Sequence, residues 1–522
     1  MIPVGAGVAY EMIHDGRPLA VLDIREAGQF GEGHALFAVP LPYSRLERRL
    51  GDLVPRRSER VLLIDQGDGV AERAAVRMAD AGYDHVHVLT GGMTAWETAG
   101  LGTYKGVNVP SKLMGELAET LWHPRMLTPE ELAAWQASGR PHRLFDARPA
   151  EEYARMRIPG AVCLPNGELA HRAALLPADA PVVITCAGRT RGIIGAIGLQ
   201  LAGHQGPIHA LENGTQGWAL SGRDLEHQND AAALPVLDGA ARAASGRAAE
   251  RLMRRFGLAR IDAAGADAML GDRARTTYLL DVRSHDEARS DPLPGALHAP
   301  GGQLVQATDQ WLAVRHSDVI LCCDTGLRAA LAGFWLMQLG YRPKILSLDQ
   351  ARQVAVPPRA SIPLPAIGSI DARSALAAMK GGAKLIDLRS SASYRAGHVA
   401  GAYWGIRPRL RQPAMRDLVR SEVLLVAETA EDAALAALDL AQAGVRVVRH
   451  VEGGQEALRR AGAAIEATAG QPPDEDCIDF LFFVHDRHSG NMDAARKYLA
   501  WETGLAGQLS AEERAEFRMI RP

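Results

Sequence analysis

Cysteine is scarce in this chain: five residues in 522 (Cys163, Cys186, Cys322, Cys323 and Cys477). Their spacing is too irregular for a disulfide framework, and no CxxC pair offers a zinc site. Aromatic residues make up 5% of the chain, so no aromatic-lined cofactor pocket stands out. No nucleotide-binding glycine motif is present, and no cofactor or metal is expected. Surplus charge is also missing. A formal net charge of -3 argues against a general nucleic-acid binder, which would carry a basic patch or a high pI. No apolar run is long enough to cross a bilayer, so no membrane partner is expected. The opening MIPVGAGVAYEMIHDG lacks a basic start and a long apolar stretch, which predicts no secretory leader. Free thiols without a leader predict a reducing, cytoplasmic setting.

What remains is an ordinary globular composition, 47% hydrophobic and 23% charged, long enough for three or four domains. The chain repeats itself. Four apolar strands end in Asp-x-Arg: Asp23 and Arg25, Asp146 and Arg148, Asp281 and Arg283, Asp387 and Arg389. Each is followed by a second apolar strand and a helix closed by glycine: Gly82, Gly203, Gly340 and Gly444. The Asp-to-Gly separations are 59, 57, 59 and 57 residues (82 − 23, 203 − 146, 340 − 281, 444 − 387). A glycine-containing turn follows in three units, in LTGGMTAW, LENGTQGW and VEGGQEAL; the third unit has LSLDQARQ instead. Short strands alternating with helices predict an α/β fold: four tandem domains, each a mostly parallel sheet flanked by helices. The units fall at 1–105, 124–225, 255–355 and 368–465, with a C-terminal extension at 466–522. Residues 101–125, 222–250 and the proline-rich 356–369 are read as linkers.

A glycine just past a helix commonly takes the left-handed cap, which makes it a ruler. Seventeen residues before it stand Asp65, Cys186, Cys323 and Ala427. The position is the carboxyl end of a strand in an α/β sheet, where ligands bind. Only two units place a thiol there. After Cys186 come Ala187, Gly188, Arg189, Thr190 and Arg191. The N–H groups of a strand-to-helix turn form a nest for anions, and a helix N-terminus adds positive partial charge. Two arginines add forked donors for oxyanions. In such a field Cys186 is expected to lose its proton more easily than a free thiol and to attack an anionic electrophile.

In unit three, Cys323 and Arg328 occupy the corresponding places, which makes them a candidate second site. Asp324 directly follows the thiol and opposes its ionisation. Units one (Asp65, Val70) and four (Ala427, Asp432) offer neither thiol nor arginine and are read as non-catalytic copies. Asp146 and Arg148 recur in all units, with or without a thiol, and are assigned to the scaffold. His34 and His398 are read as turn residues, and Cys163 and Cys322 as buried thiols.

These features together resemble the rhodanese domain, a sulfurtransferase fold. The matching elements are Asp146-Ala147-Arg148, the six-residue loop from Cys186 to Arg191, and LENGTQGW ending at Trp218. Gly33-His34, Gly397-His398 and the variant Arg157-Ile158-Pro159-Gly160 match a further family segment. The resemblance covers roughly residues 1–465. It implies transfer of sulfane sulfur from a small anionic donor such as thiosulfate to a thiol or cyanide acceptor, through a Cys186 persulfide held by Arg191 and the loop. Related phosphatases have a loop one residue longer; here Arg191 and Arg328 each follow their cysteine by five places. A non-enzymatic alternative is a scaffold that organises sulfur-handling partners.

The extension departs from the repeat. CIDFLFFVHDRHSGN starts as an aromatic, strand-like run and leads into a helix, DAARKYLAWETGL. Phe480 to Phe483 need cover, from unit four or from a second subunit in a homodimer. His485, Asp486 and His488 are read as surface residues rather than metal ligands.

Overall fold

The computed structural model describes residues 1–359, 362–412, 420–483, 485, 487 and 490–522. It contains four small parallel sheets with one shared strand order. In the second unit the order across the sheet is Met126–Leu127, Ile208–Leu211, Val182–Thr185, Arg143–Asp146 and Val162–Cys163, every pair parallel. The other three sheets repeat it. Val182 to Ile184 are fully buried, as suits a central strand covered on both faces. The four ruler glycines all take left-handed φ: 86° at Gly82, 92° at Gly203, 87° at Gly340 and 98° at Gly444. A side chain at these positions would pay for that conformation, which explains why glycine recurs there.

Units pack through shared elements. Val314–Arg315 of the third unit adds antiparallel to Leu19–Ala20 of the first, extending its sheet. Units one and four are joined by Arg407, which reaches Glu47 at 2.7 Å and Asp439 at 2.8 Å, all three buried.

Two segments read as linkers are helical where it matters. Val109–Trp122 and Gly239–Phe256 are helices; the first carries Pro110 in its first turn, and Asp238 caps the second by accepting from Ala241 N–H at 2.7 Å. Their glycines and proline mask the pattern, yet proline is well placed at a helix start. The aromatic run is not a strand. Residues 478–481 lie in irregular conformation between units one and four. Gly28 N–H donates to Ile478 O at 2.8 Å, and Ser391 N–H donates to Asp479 at 2.8 Å. The close approach needs glycine: a Cβ at Gly28 would stand 2.4 Å from Phe480 O. The expected tail helix is present as Met492–Gly504. Beyond it, Glu516 bonds Arg315 at 2.6 Å and Trp122 Nε1–H donates to Ile520 O at 2.8 Å, so the extension ties units one and three to the helix between units one and two. Asp486 and His488 lie outside the described residues.

One ion pair recurs in every unit. Arg148 Nε and Nη2 donate to Asp146 at 2.9 and 2.7 Å, and Nη2 also donates to Met156 O at 2.5 Å. Arg25, Arg283 and Arg389 repeat this, each grasping its own Asp and the carbonyl eight residues on. Arg148 and Asp146 are completely buried. Removing one partner of such a pair strands a buried charge. Arg148→Ala should lower stability by about 3–5 kcal/mol. Arg148→Lys should recover only part, because an ammonium cannot fork across both oxygens and the carbonyl. Chemical denaturation of the two variants checks both.

Candidate active site

Strand Val182–Thr185 delivers Cys186, and helix Thr190–Ala202 begins four residues later, so the loop is the turn between them. The first N–H groups of that helix have no intrahelical acceptor. The Asn213-Gly214 turn supports the loop from below. Thr215 N–H donates to Cys186 O at 2.7 Å and Gln216 N–H to Ala187 O at 3.1 Å. Gly214 has φ 55°, and a Cβ on it would stand 2.4 Å from Cys186 O. This is the physical reason for the glycine turn that recurs after the helix.

Both loop arginines are already paired. Arg191 meets Glu152 through two bonds of 2.7 Å. Arg189 turns to the helix Val109–Trp122, bonding Glu116 at 2.8 Å and also Glu119. Thr190 Oγ1–H donates to Glu502 of the tail helix at 2.7 Å. Cys186 itself is 2% exposed. The expected easy ionisation is corrected: burial pushes the Cys186 thiol above its ordinary value, and Glu502 and Asp146 push the same way. Arg191 and the Gly192 N–H oppose the shift without overcoming it. An arginine whose charge is shared with a carboxylate cannot fully offset desolvation.

The other units fill the same position differently. Cys323 is fully buried and its thiol is likewise raised by burial. Arg328 is clamped by Glu168 at 2.7 Å, Glu287 at 2.5 Å and Asp324 at 2.8 Å. Asp324, expected only to repel a thiolate, is thereby tied to Arg328 and, at 2.8 Å, to Arg242. Glu168 and Arg242 come from outside unit three, so the interface between units closes this loop. In unit one Asp65 accepts from Gly67 N–H at 2.8 Å and Ala71 N–H at 3.0 Å. Its carboxylate takes the loop amides that would face an anion. In unit four the position is Ala427, and Thr429 caps the next helix by accepting from Asp432 N–H at 3.1 Å.

The remaining candidates are structural. Cys163 Sγ lies 3.6 Å from Arg148 O, and burial pushes its thiol up to about 12. Cys322 is fully buried in a different apolar cluster from Cys323, as adjacent strand residues should be. His34 stacks on Phe30 and His398 on Tyr394, at 3.8 and 3.7 Å between ring centres. Glu152 was not singled out by sequence reasoning. A signal existed: the residue six places after the strand Asp is glutamate in the two units with a thiol (Glu152, Glu287) and Gln29 or Ser393 in the others.

A strand-end cysteine, a six-residue anion cradle and a closing arginine on a five-stranded parallel sheet define a class of thiol-dependent transfer domains. The chain belongs to the rhodanese-like domain family, whose model matches residues 6–99, 128–221, 262–351 and 371–461. It is similar over its whole length to the crystal structure of a thiosulfate sulfurtransferase from Pseudomonas aeruginosa: 34% identity, TM-score 0.90, all of both chains covered. A rhodanese-like domain from Anabaena is 26% identical over 20% of this chain and 80% of that one, with TM-score 0.19. An uncharacterized protein of Synechocystis is 31% identical over 97 residues. That match takes in 19% of this chain and 53% of the relative, about half its length.

The raised thiol has a kinetic consequence. Below its pKa Cys186 is neutral and only the small thiolate fraction reacts. Alkylation of Cys186 by iodoacetamide should therefore rise roughly tenfold per pH unit and still be rising past pH 8.5, the region where a free thiol levels off. Peptide mapping across that pH range checks this; a plateau near neutrality would mean a stabilised thiolate.

Proposed function

We propose that the chain is a rhodanese-type sulfurtransferase acting through Cys186. The observation that carries this is the placement of Cys186 and Arg191 at the two ends of one strand-to-helix loop. The full-length likeness to a thiosulfate sulfurtransferase supports it. In the first half-reaction the Cys186 thiolate attacks the outer sulfur of thiosulfate or a similar donor. The donor S–S bond breaks, the electron pair leaves with sulfite, and Cys186 carries a persulfide. In the second, an acceptor thiolate or cyanide attacks the outer sulfur and returns the Cys186 thiolate. Loop N–H groups and Arg191 stabilise the negative charge at each stage. Ala187, Gly188, Arg189 and Thr190 shape the cradle, and Arg189 also anchors it to the helix Val109–Trp122. No metal or other cofactor enters this scheme. Five free thiols suit a reducing compartment, which we take to be the cytoplasm.

The closed loop around Cys323 favours a structural role for unit three. The filled cradle of unit one and the alanine of unit four favour a scaffolding share for those copies. Intact-mass spectrometry of wild type, Cys186→Ser and Cys323→Ser tests the assignment, after incubation with thiosulfate and, separately, with an alkyl hydropersulfide. A gain of about one sulfur atom that is lost in Cys186→Ser and kept in Cys323→Ser is expected. An adduct lost only in Cys323→Ser would move the site to unit three. No adduct from either donor would overturn the enzymatic assignment in favour of the scaffold.

A further inference from the structure

The tail helix Met492–Gly504 lies directly over the Cys186 loop. A Cβ at Gly188 would stand 2.8 Å from Glu502 Oε2 and 2.9 Å from Tyr498 Cε1. Glu502 is 1% exposed. Its Oε1 accepts from Thr190 and lies 3.5 Å from Lys112 Nζ. Lys112, itself buried, also bonds the Tyr498 hydroxyl. Glu502 Oε2 is buried and, among the described residues, has no hydrogen-bond partner. A carboxylate oxygen thus waits, unsatisfied, beside the cradle; such an atom calls for a hydrogen-bond donor.

The charge balance around the loop points the same way. Among the described residues, Arg189, Arg191, Lys112 and Arg487 supply positive charge. Glu116, Glu119, Glu152 and Glu502 supply as much negative charge. The side chains therefore offer no surplus to a dianion. A thiosulfate dianion entering this neutral ring would add its charge to the Cys186 thiolate and the Glu502 carboxylate, opposed by the backbone amides and an Arg191 whose charge Glu152 already shares, and like charges at short range in a buried site are costly.

We propose that Glu502 is a specificity-determining residue, selecting a protonated hydropersulfide, R–S–S–H, over doubly charged sulfur donors. This rests on Cys186 being the sulfur-accepting thiol. Glu502 Oε2 accepts a hydrogen bond from the donor's terminal S–H. The Cys186 thiolate attacks that terminal sulfur, forming the Sγ–S bond. The donor S–S bond breaks, and its electron pair leaves on R–S⁻. The proton stays on the transferred sulfur, giving Cys186–S–S–H, so no oxidant or reductant is needed.

The test compares persulfidation rates of Cys186 in the full chain with thiosulfate and with an alkyl hydropersulfide, read by mass spectrometry. Wild type should prefer the hydropersulfide. Glu502→Gln keeps an acceptor for Thr190 and removes one negative charge. It should raise the thiosulfate rate about tenfold or more, without raising the hydropersulfide rate. Lys112→Gln combined with Glu502→Gln returns the ring to balance and should bring the thiosulfate rate back to within about threefold of wild type. A gain that persists in the double variant would mean that Glu502 blocks by bulk, and would overturn the proposal. So would an unchanged thiosulfate rate in a Glu502→Gln protein that melts like wild type. If Glu502→Gln does not fold, the wild-type comparison decides: a thiosulfate rate equal to or above the hydropersulfide rate would overturn the proposal. Labelling by both donors with no change in preference would fall on Glu502 alone, whereas no labelling in any variant would fall on the sulfurtransferase assignment itself.

Discussion

The rest of the structure depends on the buried Asp-x-Arg pair. Each strand of this type ends in a carboxylate whose own neighbour two residues on folds back to neutralise it. The same guanidinium then reaches a carbonyl eight residues further along. One side chain thereby fixes the strand end, the turn after it and the short helix that follows. The pair satisfies itself without a ligand, so it survives in units whose loop carries no thiol. A buried pair of this kind is worth little against an apolar replacement, but it is costly to break halfway. It acts as a constraint on geometry more than as a source of stability.

Above that constant floor, the strand-to-helix turn presents the same electrostatic demand four times. Its N–H groups and helix terminus favour negative charge. Unit one answers with its own Asp65 carboxylate. Unit four has no side chain there able to answer, and a threonine caps the helix instead. Unit three keeps a thiol and an arginine but surrounds the arginine with three carboxylates, two of them supplied by its own helix and loop. Only in unit two does the thiol face a loop whose cover comes from a separate, terminal element. Divergence among the copies is thus a divergence in who supplies the negative charge.

The fold was legible because its signals are local and repeated. Strand, arginine, helix and glycine recur at a nearly fixed distance, and the left-handed φ at Gly203 and its three counterparts is the reason the last of them cannot vary freely. The linker helices were missed because Gly and Pro in 101–125 and 222–250 suggest loops, while capping by Asp238 and placement of Pro110 in the first turn make helices of them. The candidate site was legible only in part. Cys186 and Arg191 belong to one short motif. Glu116 and Glu502 stand 73 and 312 residues from their partners in the loop. No spacing rule connects them, so an arginine that reads as free in sequence is bound in the fold. The ionisation of Cys186 was misjudged for the same reason: the field of a paired arginine is weaker than that of a bare one, and burial then wins.

Burying the Cys186 thiol has a chemical logic of its own. An open cradle with two unpaired arginines would attract any small oxyanion, and phosphate or sulfate would compete with a sulfur donor on charge alone. Pairing Arg191 with Glu152 keeps the guanidinium oriented while removing its surplus charge. Covering the loop with Tyr498 and Glu502 excludes water from the thiol. The cost is a thiol that ionises reluctantly. For the proposed sulfur transfer that cost is tolerable, because a less acidic thiol gives a more nucleophilic thiolate. The tail helix, which no repeat explains, is therefore where this chain adds to a widely shared fold. It converts a general anion cradle into a sealed site whose charge is balanced by residues drawn from three separate parts of the sequence.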